Sequence, residues 1–113
     1  VIKKLWQATR YSMQGLASAV EHEFAFRLEI FISAIAIPIA LYFGRSGVDK
    51  ALLVGSLLLV FIVELVNSAV ESVVDRISLK QHALAGRAKD LGSAAVFVAC
   101  INVLVTWFCL FYF

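Results

Sequence analysis

The sequence has 113 residues, 62% of them hydrophobic and only 16% charged, with a formal net charge of +2. That is enough chain for one domain, and too much apolar surface for a small soluble globule, which leaves much of its surface in water. A bilayer removes the difficulty by acting as the solvent, and neither the slight positive charge nor any basic-aromatic patch argues for nucleic acid.

The first segment, about residues 2–22, sets Ile2, Leu5, Trp6, Leu16 and Val20 at loosely helical spacing against Lys3, Lys4, Gln7 and Arg10. This pattern predicts an amphipathic helix lying along a membrane surface, weakened slightly by Gly15 and Ser18. No signal peptide is evident. The chain opens on Val1 rather than Met, so an initiator or a few residues are expected ahead of it.

The second segment, 24–43, carries an uncharged run of 14 residues from Ile30 to Phe43, short for a span. Arg27 and Glu29 are therefore expected at the interface or against protein, and Pro38 offers a kink. Gly44-Arg45-Ser46-Gly47 reads as a turn. A third segment, 51–77, starts with uncharged Ala51 to Val63 and continues in helix-compatible sequence. After the polar stretch Ser78 to Asp90, residues 91–113 form 23 residues without a charge, ending in Trp107 and Tyr112 at a depth that suits an interface belt. Cys100 and Cys109 stand nine residues apart in this segment. They face roughly opposite ways on a helix, which disfavours a disulfide and leaves them as small apolar residues.

Orientation follows from the basic residues. Of ten Lys and Arg, only Arg45 and Lys50 fall in the first loop. The N-terminal region and second loop hold the rest, and with three spans they share one side, expected to be cytoplasmic.

The third segment also carries residues that hydrocarbon does not favour. Glu64, Asn67, Glu71 and Asp75 are separated by three, four and four residues, which makes one polar stripe on a helix, with Ser68 beside it. Glu64 lies about 16 Å along the helix from Asp75, so if Asp75 is at the headgroups Glu64 is deep in the bilayer. A carboxylate there costs at least about 2.5–3.5 kcal/mol. Helix packing does not require that cost, whereas a general base or a cation site does. The competing reading is an interhelical hydrogen-bonding stripe, and Asp75 beside Arg76 reads equally well as solvated. Glu21, Glu23 and Glu29 form a second acidic group. One or two carboxylates are the usual protein contribution to an Mg²⁺ that also holds nucleotide phosphates, and Glu23 and Glu71 are the candidates nearest the cytoplasmic interface. Arg87 and Lys89, in Gly86-Arg87-Ala88-Lys89-Asp90, are placed to grip phosphate oxygens, although positive-inside loops often contain such residues. His22 and His82 read as solvated. No P-loop, Rossmann glycine pattern or protein-kinase catalytic loop is present. The residues alone describe a membrane protein with a buried acidic site, an enzyme or a transporter, with a proton pathway along the Glu64 to Asp75 stripe as the second possibility.

The run Glu64-Leu65-Val66-Asn67-Ser68-Ala69-Val70-Glu71-Ser72-Val73-Val74-Asp75-Arg76 resembles the signature of the prokaryotic diacylglycerol kinases. Gly86-Arg87-Ala88-Lys89-Asp90-Leu91-Gly92-Ser93-Ala94-Ala95-Val96 continues the likeness in register, as do Tyr11-Ser12, Gly15-Leu16 and the spacing of Glu23, Ala25, Phe26, Arg27 and Glu29. The resemblance implies an all-α integral membrane protein with one kinase domain over residues 1–113, built as a surface helix and three transmembrane helices. It further implies a homotrimer in the bacterial inner membrane, with active sites shared between subunits near the cytoplasmic face. The implied reaction is ATP- and Mg²⁺-dependent phosphorylation of diacylglycerol to phosphatidic acid. By position, Glu64 would be the general base and Asn67 would help hold that constellation. Glu23 and Glu71 would bind the metal, and Lys89 and Asp90 would contact nucleotide. Tyr11 and Lys80-Gln81-His82 would border the nucleotide, while Arg27, Glu29, Ser93 and, more distantly, Trp107 would line the lipid site. Lys80 and Ala83 stand where the family often has acidic residues, and the related undecaprenol kinases share the core motif.

Overall fold

The structure, a computed structural model, describes residues 1–77 and 83–113. Among these the chain forms four helices: α1 (Ile2–His22), α2 (Phe24–Phe43), α3 (Gly47–Ile77) and α4 (Ala83–Tyr112). The expected all-helical architecture is present, and α2, α3 and α4 are each long and apolar enough to cross a membrane.

Two helices begin earlier than hydropathy alone implied. α3 starts at Gly47 rather than Ala51, because Ser46 caps it: the Asp49 backbone N–H donates to the Ser46 Oγ at 3.1 Å. Asp49 in the first turn also complements the positive end of the helix dipole. α4 starts at Ala83 rather than Leu91. Ala83, Leu84, Ala85, Arg87, Ala88 and Lys89 are strong helix formers, so local propensity carries the helix beyond the apolar run. At about 1.5 Å per residue such helices are about 45 Å long, well beyond a hydrocarbon core of about 30 Å, so their polar halves project from the bilayer. α2 is continuous through Pro38.

Two short connections join the first three helices. Glu23 alone joins α1 to α2, with extended backbone (φ −113°, ψ 110°). Arg27 reaches back from α2, its Nη1 donating to the Val20 carbonyl at 2.8 Å and the Glu21 carbonyl at 3.1 Å. A cation is thereby placed on the orphan carbonyls at the C-terminal end of α1. At the α2–α3 turn, a Cβ on Gly44 would lie 2.7 Å from the Ala40 carbonyl oxygen, so only glycine fits.

The small core lies along α3. α2 buries Phe26, Ser33 and Ala40, a stripe with a seven-residue repeat, and α3 buries Leu53, Ser56, Leu57 and Val60. Phe26 meets Phe61 edge-on, with ring centroids 5.3 Å apart. Small residues on these faces let helix backbones approach, which is how helices associate where lipid tails are as apolar as leucine. α3 packs most extensively on α4, less on α2, while α1 rests on α2. Most large apolar side chains face outward, Phe31, Leu104 and Phe97 among them. In lipid such faces are solvated, so the sparse core is no defect.

Candidate active site

The α3 stripe becomes a row of partnered groups. Ser68 Oγ donates to Glu23 Oε1 at 2.8 Å, tying the α1–α2 corner to α3. Asn67 Nδ2 donates to Glu71 Oε1 at 3.0 Å, one helical turn along. Further out, Lys89 of α4 forms an ion pair with Asp75. The adjacent residues Asn67 and Ser68 thus each hold one oxygen of a carboxylate and leave the second oxygen of each for another ligand.

Glu23 and Glu71 line one cleft of about 790 Å³ between α1 and α3, together with Ser12, Ser18, Ser72 and Asp75. The cleft is large enough for a nucleotide-sized ligand. Among the described residues no group of three or more His, Cys, Asp or Glu gathers around a metal position. Two tethered carboxylates on one cleft match the other arrangement, in which Mg²⁺ completes its shell with phosphate oxygens and water. The residues present therefore fit a metal delivered with phosphates.

Deeper in α3, Glu64, Asn67 and Ser68 line a cavity of about 30 Å³ with Glu23 and Phe26, the volume of about one water or hydroxyl. Buried here are Glu64 Oε2 and Asn67 Oδ1, neither with a hydrogen-bond partner. The same is true of Glu29 Oε2, and the Glu29 carboxyl lies within hydrogen-bonding reach of Glu64. Two buried carboxyl groups this close are costly unless they share a proton, and holding them there favours a site that handles one. Glu29 also borders an apolar groove of about 270 Å³ with Ile32, Ser33, Leu57, Val60 and Cys100. A membrane-facing groove, a carboxyl pair, a one-hydroxyl cavity and a polar cleft therefore follow one another along α3.

The remaining residues singled out in the sequence scatter around this line. Arg27 donates through Nη1 to the end of α1 and lies over the Phe24 ring, 5.9 Å from its centroid. Tyr11, Asp90 and Ser93 are exposed. Trp107 lies near the far end of α4, its indole N–H shared between Ser56 Oγ at 3.1 Å and the Leu53 carbonyl at 3.3 Å. Its ring lines an apolar groove with Ile32, Ala36 and Phe108. Lys80, Gln81 and His82 lie outside the described residues. The helical period places Ser68 only beside the stripe. Its bond to Glu23 spans 45 positions in the chain, and no local pattern reveals such a pair.

Comparison with known proteins shows the family. The family model for prokaryotic diacylglycerol kinase matches residues 10–111. A diacylglycerol kinase of Haemophilus influenzae is 50% identical over 103 residues, covering 91% of this chain and 87% of that protein. One from Pseudomonas aeruginosa is 44% identical, covering 94% and 86% respectively. One from Escherichia coli is 45% identical, covering 92% and 85%. The three run nearly the whole length of the chain and take in the α3 stripe, its carboxyl partners and the α4 mouth. The chain belongs to the prokaryotic diacylglycerol kinase family.

Proposed function

We propose that this chain transfers the γ-phosphoryl group of ATP to the free hydroxyl of diacylglycerol, with Glu64 as general base. The observation that carries the reading is the buried Glu64 carboxyl, set against the Glu29 carboxyl and beside a cavity the size of one hydroxyl, between the membrane-facing groove and the Glu23–Glu71 cleft. The acceptor alcohol never leaves the bilayer, so its base has to lie below the water boundary. Phosphoryl transfer asks mainly for positioning and charge neutralisation, which is what this arrangement offers.

In the proposed reaction the lipid enters along the groove bordered by Glu29, and its hydroxyl reaches Glu64. Glu64 takes the hydroxyl proton as the lipid oxygen bonds to the γ-phosphorus. The bond from phosphorus to the bridging oxygen breaks, and ADP leaves with its electron pair. Glu23 and Glu71 would hold an Mg²⁺, which supplies neutralisation of the phosphate charge when bound. Lys89 stands near Glu71 at the same mouth, where its ammonium can exchange Asp75 for a phosphate oxygen. Asp90, Tyr11 and the segment from Lys80 to His82 would border the nucleotide. Ser93, Arg27 and Glu29 belong to the proposed lipid side, with Trp107 more distant. The working protein is proposed to be a homotrimer in the bacterial inner membrane, its N-terminus cytoplasmic and α1 on the membrane surface.

The test uses purified protein in detergent micelles with labelled ATP and Mg²⁺, offered diacylglycerol or undecaprenol. Label on diacylglycerol is expected, and Glu64→Gln should abolish it while leaving the oligomer intact. Label on the polyprenol alone would overturn the substrate. Turnover of Glu64→Gln near the wild-type rate would remove Glu64 from the base role.

A further inference from the structure

Gly92 lies on α4 where that helix passes the polar stripe of α3. A Cβ built at Gly92 would overlap the Asn67 Oδ1 and come 3.0 Å from its Cγ. At Gly15, Gly47, Gly55 and Gly86 the same construction meets nothing within 4 Å. The Gly92 backbone is thus in contact with one particular side chain. Withdrawing that side chain breaks a bond: Asn67 is half-buried, and its Nδ2 donates to Glu71 Oε1 at 3.0 Å. Its other end, Oδ1, is buried without a hydrogen-bond partner against α4.

We propose that Gly92 is a positioning residue of the kinase site: its bare Cα seats Asn67 in the rotamer that donates to Glu71, and so fixes the Glu71 carboxylate toward the cleft. The chain of causes is short. Staggered rotamers give the Asn67 amide few places to go. A methyl group at Gly92 occupies the one it holds. Once displaced, the amide no longer reaches Glu71, and the carboxylate loses a charge-assisted donor. Groups that orient a metal ligand from behind typically alter metal affinity about 10–100-fold. Gly92 does this without a side chain, through the close approach that only glycine permits. The inference rests on the reading of Glu71 as a metal ligand.

The test measures Mn²⁺ binding by electron paramagnetic resonance in the full-length protein in micelles, with a non-hydrolysable ATP analogue present. Gly92→Ala should weaken Mn²⁺ binding about 10–100-fold and raise the Mg²⁺ needed for turnover. In an Asn67→Ala background, where the obstruction is gone, Gly92→Ala should add no further loss, because Gly92 acts only through Asn67. The same background keeps the question answerable if Gly92→Ala alone does not assemble: the double variant should then assemble and bind Mn²⁺ as Asn67→Ala does. Wild-type Mn²⁺ affinity in Gly92→Ala, or an equal loss with and without Asn67, would overturn the proposal. Glu71→Gln serves as the reference. If it leaves Mn²⁺ binding unchanged, the ligand reading fails first. If it weakens binding while Gly92→Ala does not, only the role of Gly92 falls.

Discussion

At the scale of single residues, Asn67 and Ser68 show how little sequence distance separates two tasks. Neighbours on a helix differ by about 100° in direction, so one amide turns toward Glu71 and one hydroxyl toward Glu23. Both carboxylates are thereby oriented from a single point of α3. Ser68→Ala removes the 2.8 Å donor to Glu23 while leaving its charge. The expected outcome is about a tenfold rise in the Mg²⁺ concentration for half-maximal turnover, with the lipid KM unchanged. A Mg²⁺ titration of initial rates checks it, and an unchanged midpoint would show that Glu23 needs no support from Ser68. The acidic stripe was readable in the sequence because helical period alone aligns Glu64, Asn67, Glu71 and Asp75. The Ser68–Glu23 and Gly92–Asn67 contacts were not, because each depends on how one helix docks against another.

At the scale of elements, hydropathy located the three spans and both ends of α2, but not where α3 and α4 begin. α3 began at its serine cap and α4 at a run of helix formers, features that an average over apolar residues blurs. Arg27 adds a contact that hydropathy does not report: one nitrogen of its guanidinium closes the end of α1. Trp107 is also more occupied than its place in a belt implied. Its N–H meets Ser56 and the Leu53 carbonyl inside the bundle, joining α4 to α3 where no water competes. Replacing it by Phe keeps the ring and removes the donor. Trp107→Phe should destabilise the fold by about 0.6–2 kcal/mol, the range for interhelical hydrogen bonds in membranes. Equilibrium unfolding in micelles would register this loss, with the KM for diacylglycerol unaltered. A raised lipid KM at wild-type stability would instead place the indole at the substrate.

At the scale of the whole molecule, the buried apolar set among the described residues is Ala19, Phe26, Ala40, Leu53, Leu57, Val60 and Ala99. In water that set would not offset the conformational entropy of a chain this long. The protein therefore depends on its surroundings for stability, and α1 depends on them most. It buries only Ala19, rests on α2, and turns through the one-residue corner at Glu23, yet it forms a wall of the cleft. The least anchored helix and a wall of the cleft proposed for nucleotide are one and the same segment. Occupancy of the cleft should then be written in the amide hydrogens of residues 2–22. These should exchange quickly in the free protein and slow when a nucleotide analogue bridges α1 to α3, while the amides of 47–77 change little. Uniform protection in both states would mean that this wall is rigid and that nucleotide must come and go by another route.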